Sequence, residues 1–369
     1  MRISLFERPR LNPETKRARQ PGRRPVVECL EDRCSPGVII DLGTLGGYNS
    51  HAWGINNSGI VIGDAYTFMF FNDHAFTYNA NGTSTGPLTD MGTLNGGVGF
   101  SQALGINDAG QIVGGATNTS GNTHAFLFSP ANPTLNISST MTDLGTLGGS
   151  SSMATAIDSL ALVAGYSTTS GGQNHAFLYN GLGMTDLGTL GGPTSWANAV
   201  NDSGIVVGAS LTSLYQQHAF VSNRGVITDL GTLGGFVSEA FAINNAGQVV
   251  GEAMTASYQV HAFLFTPGRS DITPPTSSTM TDLGTFGGWG SYAYGINNLG
   301  QVVGTSQTSA GAWHAFLYSG GVMTDLNSKL PANSGWIALS QANSINNNGQ
   351  IVGTGFTATG FSHGFVLNL

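Results

Sequence analysis

Short segments of four to seven residues that mix apolar with small and polar positions recur along this chain, separated by clusters of Gly, Asn, Asp, Ser and Pro. Punctuated runs of this length predict strands joined by tight turns. Four of them recur in fixed order. One carries Asp-Leu-Gly or a close variant, with Asp at 41, 90, 143, 186, 229, 282 and 325. The next carries Ser-x-Ala-x-small-Ile/Val, with Ser at 50, 101, 152, 195, 238, 291 and 340. A third reads Asn-Asn-x-Gly-Gln-Val-Val-Gly, clearest at Asn244–Gly251 and Asn297–Gly304. The fourth carries His-Ala-Phe-Leu, with His at 74, 124, 175, 218, 261, 314 and 363. Asn-Asn-x-Gly suits a hairpin whose Gly takes a positive φ, and so does Asn223-Arg224-Gly225.

Four strands per unit, seven units and about 43–53 residues per unit match the arithmetic of a β-propeller. The expected fold is therefore all-β, a seven-bladed β-propeller of four-stranded blades. A lone Asp-Leu-Gly strand opens the pattern at 38–45, and a His-Ala-Phe type strand ends it at 362–369. Pairing these two closes the last blade and leaves no exposed edge. A linear β-solenoid is the alternative; it needs capping ends, whereas both terminal strands here are ordinary repeat strands. Unit length varies mainly at Ser129–Thr140 and Thr266–Thr279, which are rich in Pro, Ser and Thr and predict surface loops. Ile157-Asp158-Ser159-Leu160-Ala161 has lost the turn motif of its neighbours.

Composition agrees with this picture. The 55 glycines and a charged fraction of 9 % suit an all-β chain with many turns, and the ordinary apolar content argues against disorder. Charge divides the chain in two. Nine of the twelve Lys and Arg precede Val38, so residues 1–37 form a basic, mostly disordered leader, and 38–369 form the propeller. The body keeps only Arg224, Arg269 and Lys329 against fifteen acids, a net charge of −12. So few cations cannot neutralise phosphates, which excludes nucleic acid as a partner. No run approaches the ~18 apolar residues of a membrane span, which excludes insertion by a helix. Cys29 and Cys34 both lie in the leader, so the body has no disulfide, no Cys-based zinc site and no Cys nucleophile.

His-Ala-Phe beside Asp-Leu-Gly-Thr-Leu-Gly-Gly, with Ile-Asn-Asn-x-Gly-Gln-Val-Val-Gly between, resembles the bacterial extracellular HAF repeat family over residues 41–369. Asp325-Leu326-Asn327 through Ser334-Gly335-Trp336 looks like that family's usual last repeat. The resemblance implies an exported protein of repeated β units and carries no activity with it. Residues Arg23 to Cys34 resemble the Leu-Glu-x-Arg leader at the start of many large bacterial surface and secreted proteins. That implies an extracellular or cell-surface location, although the apolar stretch of a standard secretory signal is absent.

The recurring His and Asp invite a chemical interpretation. A hairpin centred on Arg224-Gly225 sets Phe220 opposite Asp229 and His218 opposite Gly231, so His218 and Asp229 share a face. The same alignment joins His175 to Asp186 and His314 to Asp325. A catalytic or metal-binding dyad is one possibility. Seven equivalent copies favour structural hydrogen bonds, because catalytic sites are single constellations of unlike residues. No catalytic residues, metal site or cofactor are assigned.

Specific recognition belongs where repeats disagree. The residue after the Ser of Ser-x-Ala varies: His51, Gln102, Met153, Trp196, Glu239, Tyr292 and Gln341. These are expected to ring one mouth of a central channel and to resemble a carbohydrate-binding lining of aromatic, amide and acid groups. Tyr66, Phe68, Phe70, Phe71, Tyr215, Tyr258, Trp313, Phe356 and Phe361, with Tyr48, Trp289 and Trp336, are expected on loops of the same face. The expected function is a binding or scaffold module whose partner is a polysaccharide or an envelope protein. Alternatives are a glycan hydrolase or lyase using Glu239 with His51, and a purely structural surface protein. The sequence assigns no oligomeric state.

Overall fold

The computed structural model describes residues 38–67, 72–81, 87–131, 139–268 and 277–369. The leader, Phe68, Phe70, Phe71 and most of the two Pro/Ser/Thr-rich insertions lie outside the described residues. Short antiparallel strands make up most of the described residues, with one 3-10 turn among them at Leu326–Lys329. The unit Gly191–Val200, Val206–Thr212, Gln217–Asn223 and Val226–Gly231 forms one four-stranded sheet in chain order, and the same order recurs from Gly46 onward. One sheet has eight strands: two such sets, Gly234–Asp282 and Gly287–Asp325, meet at a single parallel pair, Val260–Gly290. Another combines both ends of the pattern, with Val38–Asp41 antiparallel to Ser362–Asn368. The fold is all-β and propeller-like, built of four-stranded antiparallel sheets, none of which closes on itself.

Local chemistry explains the strands. In the turn after Val200, Asn201 Oδ1 accepts the backbone N–H groups of Ser203 and Ile205, each at 3.1 Å. Gly204 then takes φ +71, a conformation that favours glycine. In the altered turn, Asp158 Oδ1 accepts from Leu160 and Leu162 instead, and Ala161 is forced to φ 63. The Gly of Val-Val-Gly has a different cause. A Cβ on Gly208 would run into the carbonyl oxygen of Trp196 on the adjacent strand. Phe76, Phe126, Phe177, Phe220, Phe263, Phe316 and Phe365 are fully buried, each contributing about 1.5–3 kcal/mol.

Side chains tie neighbouring sheets together. Ser195 Oγ donates to Gly188 O at 2.6 Å and accepts from Ala176 N of the preceding sheet at 2.9 Å. Asn201 Nδ2 donates to Asn244 O, Asn244 to Asn297 O, Asn297 to Asn346 O, and Asn346 to Asn56 O, all between 3.0 and 3.2 Å.

Two details differ from expectation, and one position departs from its own repeat. The first strand ends at Asp41 rather than 45, because Asp41 Oδ1 accepts from Gly43 N and Gly43 takes φ +69. Phe220 does face Asp229, but a bulge moves Gly231 opposite Ala219 rather than His218. Ser340 does not make the Ser cross-link. The strand Trp336–Ile345 bulges around it, and Asn327 holds Leu339 instead, accepting from Leu339 N at 2.7 Å and donating to Leu339 O at 3.0 Å.

Candidate functional site

The His–Asp pairs are regular. His175 Nδ1 lies 2.7 Å from Asp186 Oδ2, His218 Nδ1 2.7 Å from Asp229 Oδ2, and His314 Nδ1 2.7 Å from Asp325 Oδ2. The other oxygen of each Asp caps the following turn, as in Asp186 Oδ1 with Gly188 N at 2.8 Å. Each carboxylate is thus spent on one imidazole and one backbone N–H, with the Asn327 amide as a further donor to Asp325. Among the described residues, no group of three or more His, Cys, Asp or Glu is placed to hold a metal ion.

The seven variable residues after the Ser position are all half-buried. Each lies opposite the residue following the Gly of the next strand, giving the pairs His51–Asp64, Trp196–Ala209 and Glu239–Glu252. Hydrogen bonds gather four of them into two clusters. In one, Asp64 accepts from Trp53 Nε1 and from Gln102 Nε2, the latter at 2.8 Å, and its Oδ2 lies 3.0 Å from His51 Nδ1. That bond to Asp64 raises the His51 pKa, although burial opposes it. Burial raises the Asp73 carboxyl, helped by the charge of Asp64.

Glu239 centres the other cluster. Its Oε1 accepts from Trp196 Nε1 and Asn198 Nδ2, and its Oε2 from Gln217 Nε2, each at 2.9 Å. Burial pushes the facing Glu252 carboxyl up to about 7, and the charge of Glu239 adds to this. Tyr292 stacks parallel to Tyr294 with centroids 6.1 Å apart and lies 5.5 Å from Trp313. Burial and the Glu252 charge also raise the Tyr292 hydroxyl. Met153, Tyr292 and Gln341 join neither cluster through a side-chain hydrogen bond; Gln341 Nε2 bonds Asn343 instead, at 2.7 Å. His51 and Glu239 belong to separate clusters, so the two do not form the catalytic pair considered from sequence.

Asp64, Glu252, Asn198 and Tyr294 were not singled out from sequence. Two positions carried the signal. The residue after the strand Gly reads Asp64, Gly115, Tyr166, Ala209, Glu252, Thr305 and Thr354, and the position two after the variable ring includes Trp53, Asn198 and Tyr294. Both vary as freely as the ring itself.

Of the predicted rim aromatics, Tyr48, Tyr215, Tyr258 and Trp289 are well exposed. Tyr48 stacks on Phe361 at 5.1 Å, and Phe236 lies 5.5 Å from Tyr258. Trp336 instead packs edge-on to buried Phe365 and covers the core. At the far ends of the Ser-x-Ala strands, the Asn turns line a polar cavity of about 220 Å³ that includes Asn56, Asp108, Asp158 and Asp202.

A family model described as "Protein of unknown function (DUF3466)" matches residues 234–363. No curated protein matches the chain. Among solved structures, the chain is similar to a protein described as TolB from Agrobacterium tumefaciens, at 12 % identity and TM-score 0.46, over 72 % of this chain and 89 % of that one. It is similar to a puromycin-hydrolyzing peptidase of Mycobacterium tuberculosis at 10 % identity and TM-score 0.49, over 83 % of this chain and 49 % of that one. A Trypanosoma rangeli sialidase in complex with the inhibitor DANA gives 12 % identity and TM-score 0.39, over 90 % and 59 %. All three scores lie below 0.5, so the architecture rests on the strand pairing above.

Proposed function

We propose that the chain is an exported, seven-bladed β-propeller that binds saccharide at the cell surface. The eight-stranded sheet is then two blades touching at one bridge, and the sheet shared by Val38–Asp41 and Ser362–Asn368 closes the ring. The bond from Asn346 to Asn56 supports closure. The resemblance of Arg23–Cys34 to a surface-protein leader supports export.

One observation carries the binding reading. Glu239 holds an indole and two amides in one place and faces Glu252, whose charge reaches the hydroxyl of Tyr292, a ring 5.5 Å from Trp313. Ring faces that stack on a sugar and fixed polar groups that bond its hydroxyls are what a saccharide site needs. The test is a binding screen of the full chain against polysaccharides and cell-envelope fractions. Retention on a polysaccharide supports the reading; retention on envelope protein alone replaces the ligand class.

A glycan-cleaving activity is the second reading, favoured by Glu239 and Glu252 facing each other with one carboxyl held near 7. Such unequal pairs serve as acid and base. Release of new reducing ends from a bound polysaccharide, abolished by Glu252→Gln, is its signature.

A further inference from the structure

Glu239 and Glu252 sit across from each other on adjacent strands. Every hydrogen-bond donor found on Glu239 is neutral: one indole and two side-chain amides. Such donors hold a carboxylate in place without cancelling its charge. Glu252 Oε2 is itself buried and has no hydrogen-bond partner. The two influences on Glu252, burial and the Glu239 charge, both favour its neutral form, and no cation among the described residues offsets them. Two tyrosines stand close enough for the Glu252 charge to raise their hydroxyls, Tyr292 and Tyr294, and further rings pack on these two. Tyr292 and Tyr294 stack in parallel, Trp313 lies 5.5 Å from Tyr292, and Phe241 lies 5.4 Å from Tyr294.

A buried acceptor without a donor costs free energy that a ligand donor recovers. Two facing carboxyls among ring faces are selective for a particular donor. An ammonium group satisfies both carboxyls with charge-assisted bonds and is attracted to the rings. A neutral hydroxyl gains neither the charge term nor the ring term. Glu239, Glu252 and Tyr292 are each half-buried as residues, so a ligand can reach their exposed atoms, and the covered Glu252 Oε2 has to turn outward to meet it.

We propose that this site takes an amino sugar with a free amine, such as a glucosamine unit of a polysaccharide, with its ammonium group between Glu239 and Glu252. The inference rests on the saccharide-binding reading and narrows it from sugars in general to cationic ones. The Asp64 carboxylate differs, because His51 Nδ1 already lies 3.0 Å from it.

Two ligands that differ only in that charge supply the test. Calorimetry on the full chain at pH 6.5 compares a glucosamine tetramer with its fully N-acetylated counterpart. Expected is binding of the free-amine tetramer about tenfold tighter, with the preference lost in Glu252→Gln. Equal binding of the two tetramers by wild type overturns the cationic proposal and leaves saccharide binding standing. Binding of the acetylated tetramer alone does the same. Binding of neither tetramer overturns the proposal, and the polysaccharide screen then decides the broader reading separately. The wild-type comparison suffices even if Glu252→Gln fails to fold.

Discussion

His363 Nδ1 lies 2.8 Å from Asp41 Oδ1, joining positions 322 residues apart. The geometry is that of His218 and Asp229, which are eleven residues apart within one sheet. The same device therefore serves as a local hairpin brace and as a link between the two ends of the strand pattern. Removing either imidazole should cost about 1–2 kcal/mol. His218→Ala and His363→Ala should lower the denaturant midpoint by similar amounts and leave ligand binding intact. If the terminal link closes a ring, Asp41→Pro, which also disturbs the strand pairing, should cost clearly more than His218→Ala. An unaffected midpoint in Asp41→Pro would contradict closure.

Asp158 is 3 % exposed and occupies the place that Asn holds in the equivalent turns. An Asn there, like Asn201, would donate to the carbonyl of the next sheet; Asp158 Oδ2 instead has no partner. Burial raises its pKa, although the backbone N–H groups of Leu162 and Leu160 oppose this. Asp158→Asn should supply the missing bond to the Asn201 carbonyl and stabilise the fold by about 1 kcal/mol at neutral pH. Thermal melting at pH 7 checks this; an unchanged or lower midpoint would contradict it.

Ala161 adopts φ 63 where the equivalent turns place glycine. Ala161→Gly should relieve that strain and raise stability by up to about 1 kcal/mol. The greater freedom of glycine in the unfolded chain opposes the gain. A melting comparison with Ala246→Gly, outside the strained position, separates the two effects: only Ala161→Gly should stabilise.

Glu252 imposes a pH dependence of definite sign. Its carboxyl titrates near 7 when folded and at its ordinary 4.5 when unfolded. Between those values the folded state holds a proton that the unfolded state releases. Stability from this group is therefore full below about 4.5 and is lost as pH rises through 7. Glu252→Gln should remove that loss, stabilising the protein by about 1–3 kcal/mol at pH 8 and little at pH 4.5. Parallel stability curves for the two proteins would contradict the assignment.

Strand order and turn positions were legible in the sequence because turn chemistry is local. Asn-Asn-x-Gly announces its own hairpin, and the His–Asp contacts follow from two-residue alternation along paired strands. Departures came from what alternation cannot encode. One extra residue moved Gly231 opposite Ala219, and another displaced Ser340 in favour of Leu339. Half of the candidate site was legible for the same reason. Trp196, Glu239 and Tyr292 stood out as disagreements among repeats, whereas Glu252 needed the register that sets it opposite Glu239. Trp336 departs from expectation because an aromatic near a loop looks alike in sequence whether it faces solvent or covers Phe365.

The central claim is that the cluster around Glu239 is a saccharide site. The most direct measurement is a titration of wild type, Tyr292→Ala and Tyr48→Ala with the tightest-binding polysaccharide, alongside their melting curves. The account predicts at least about tenfold weaker binding for Tyr292→Ala, the effect of losing one stacking ring, with folding retained and Tyr48→Ala binding as wild type. Equal affinities for all three folded proteins would place recognition elsewhere and contradict it.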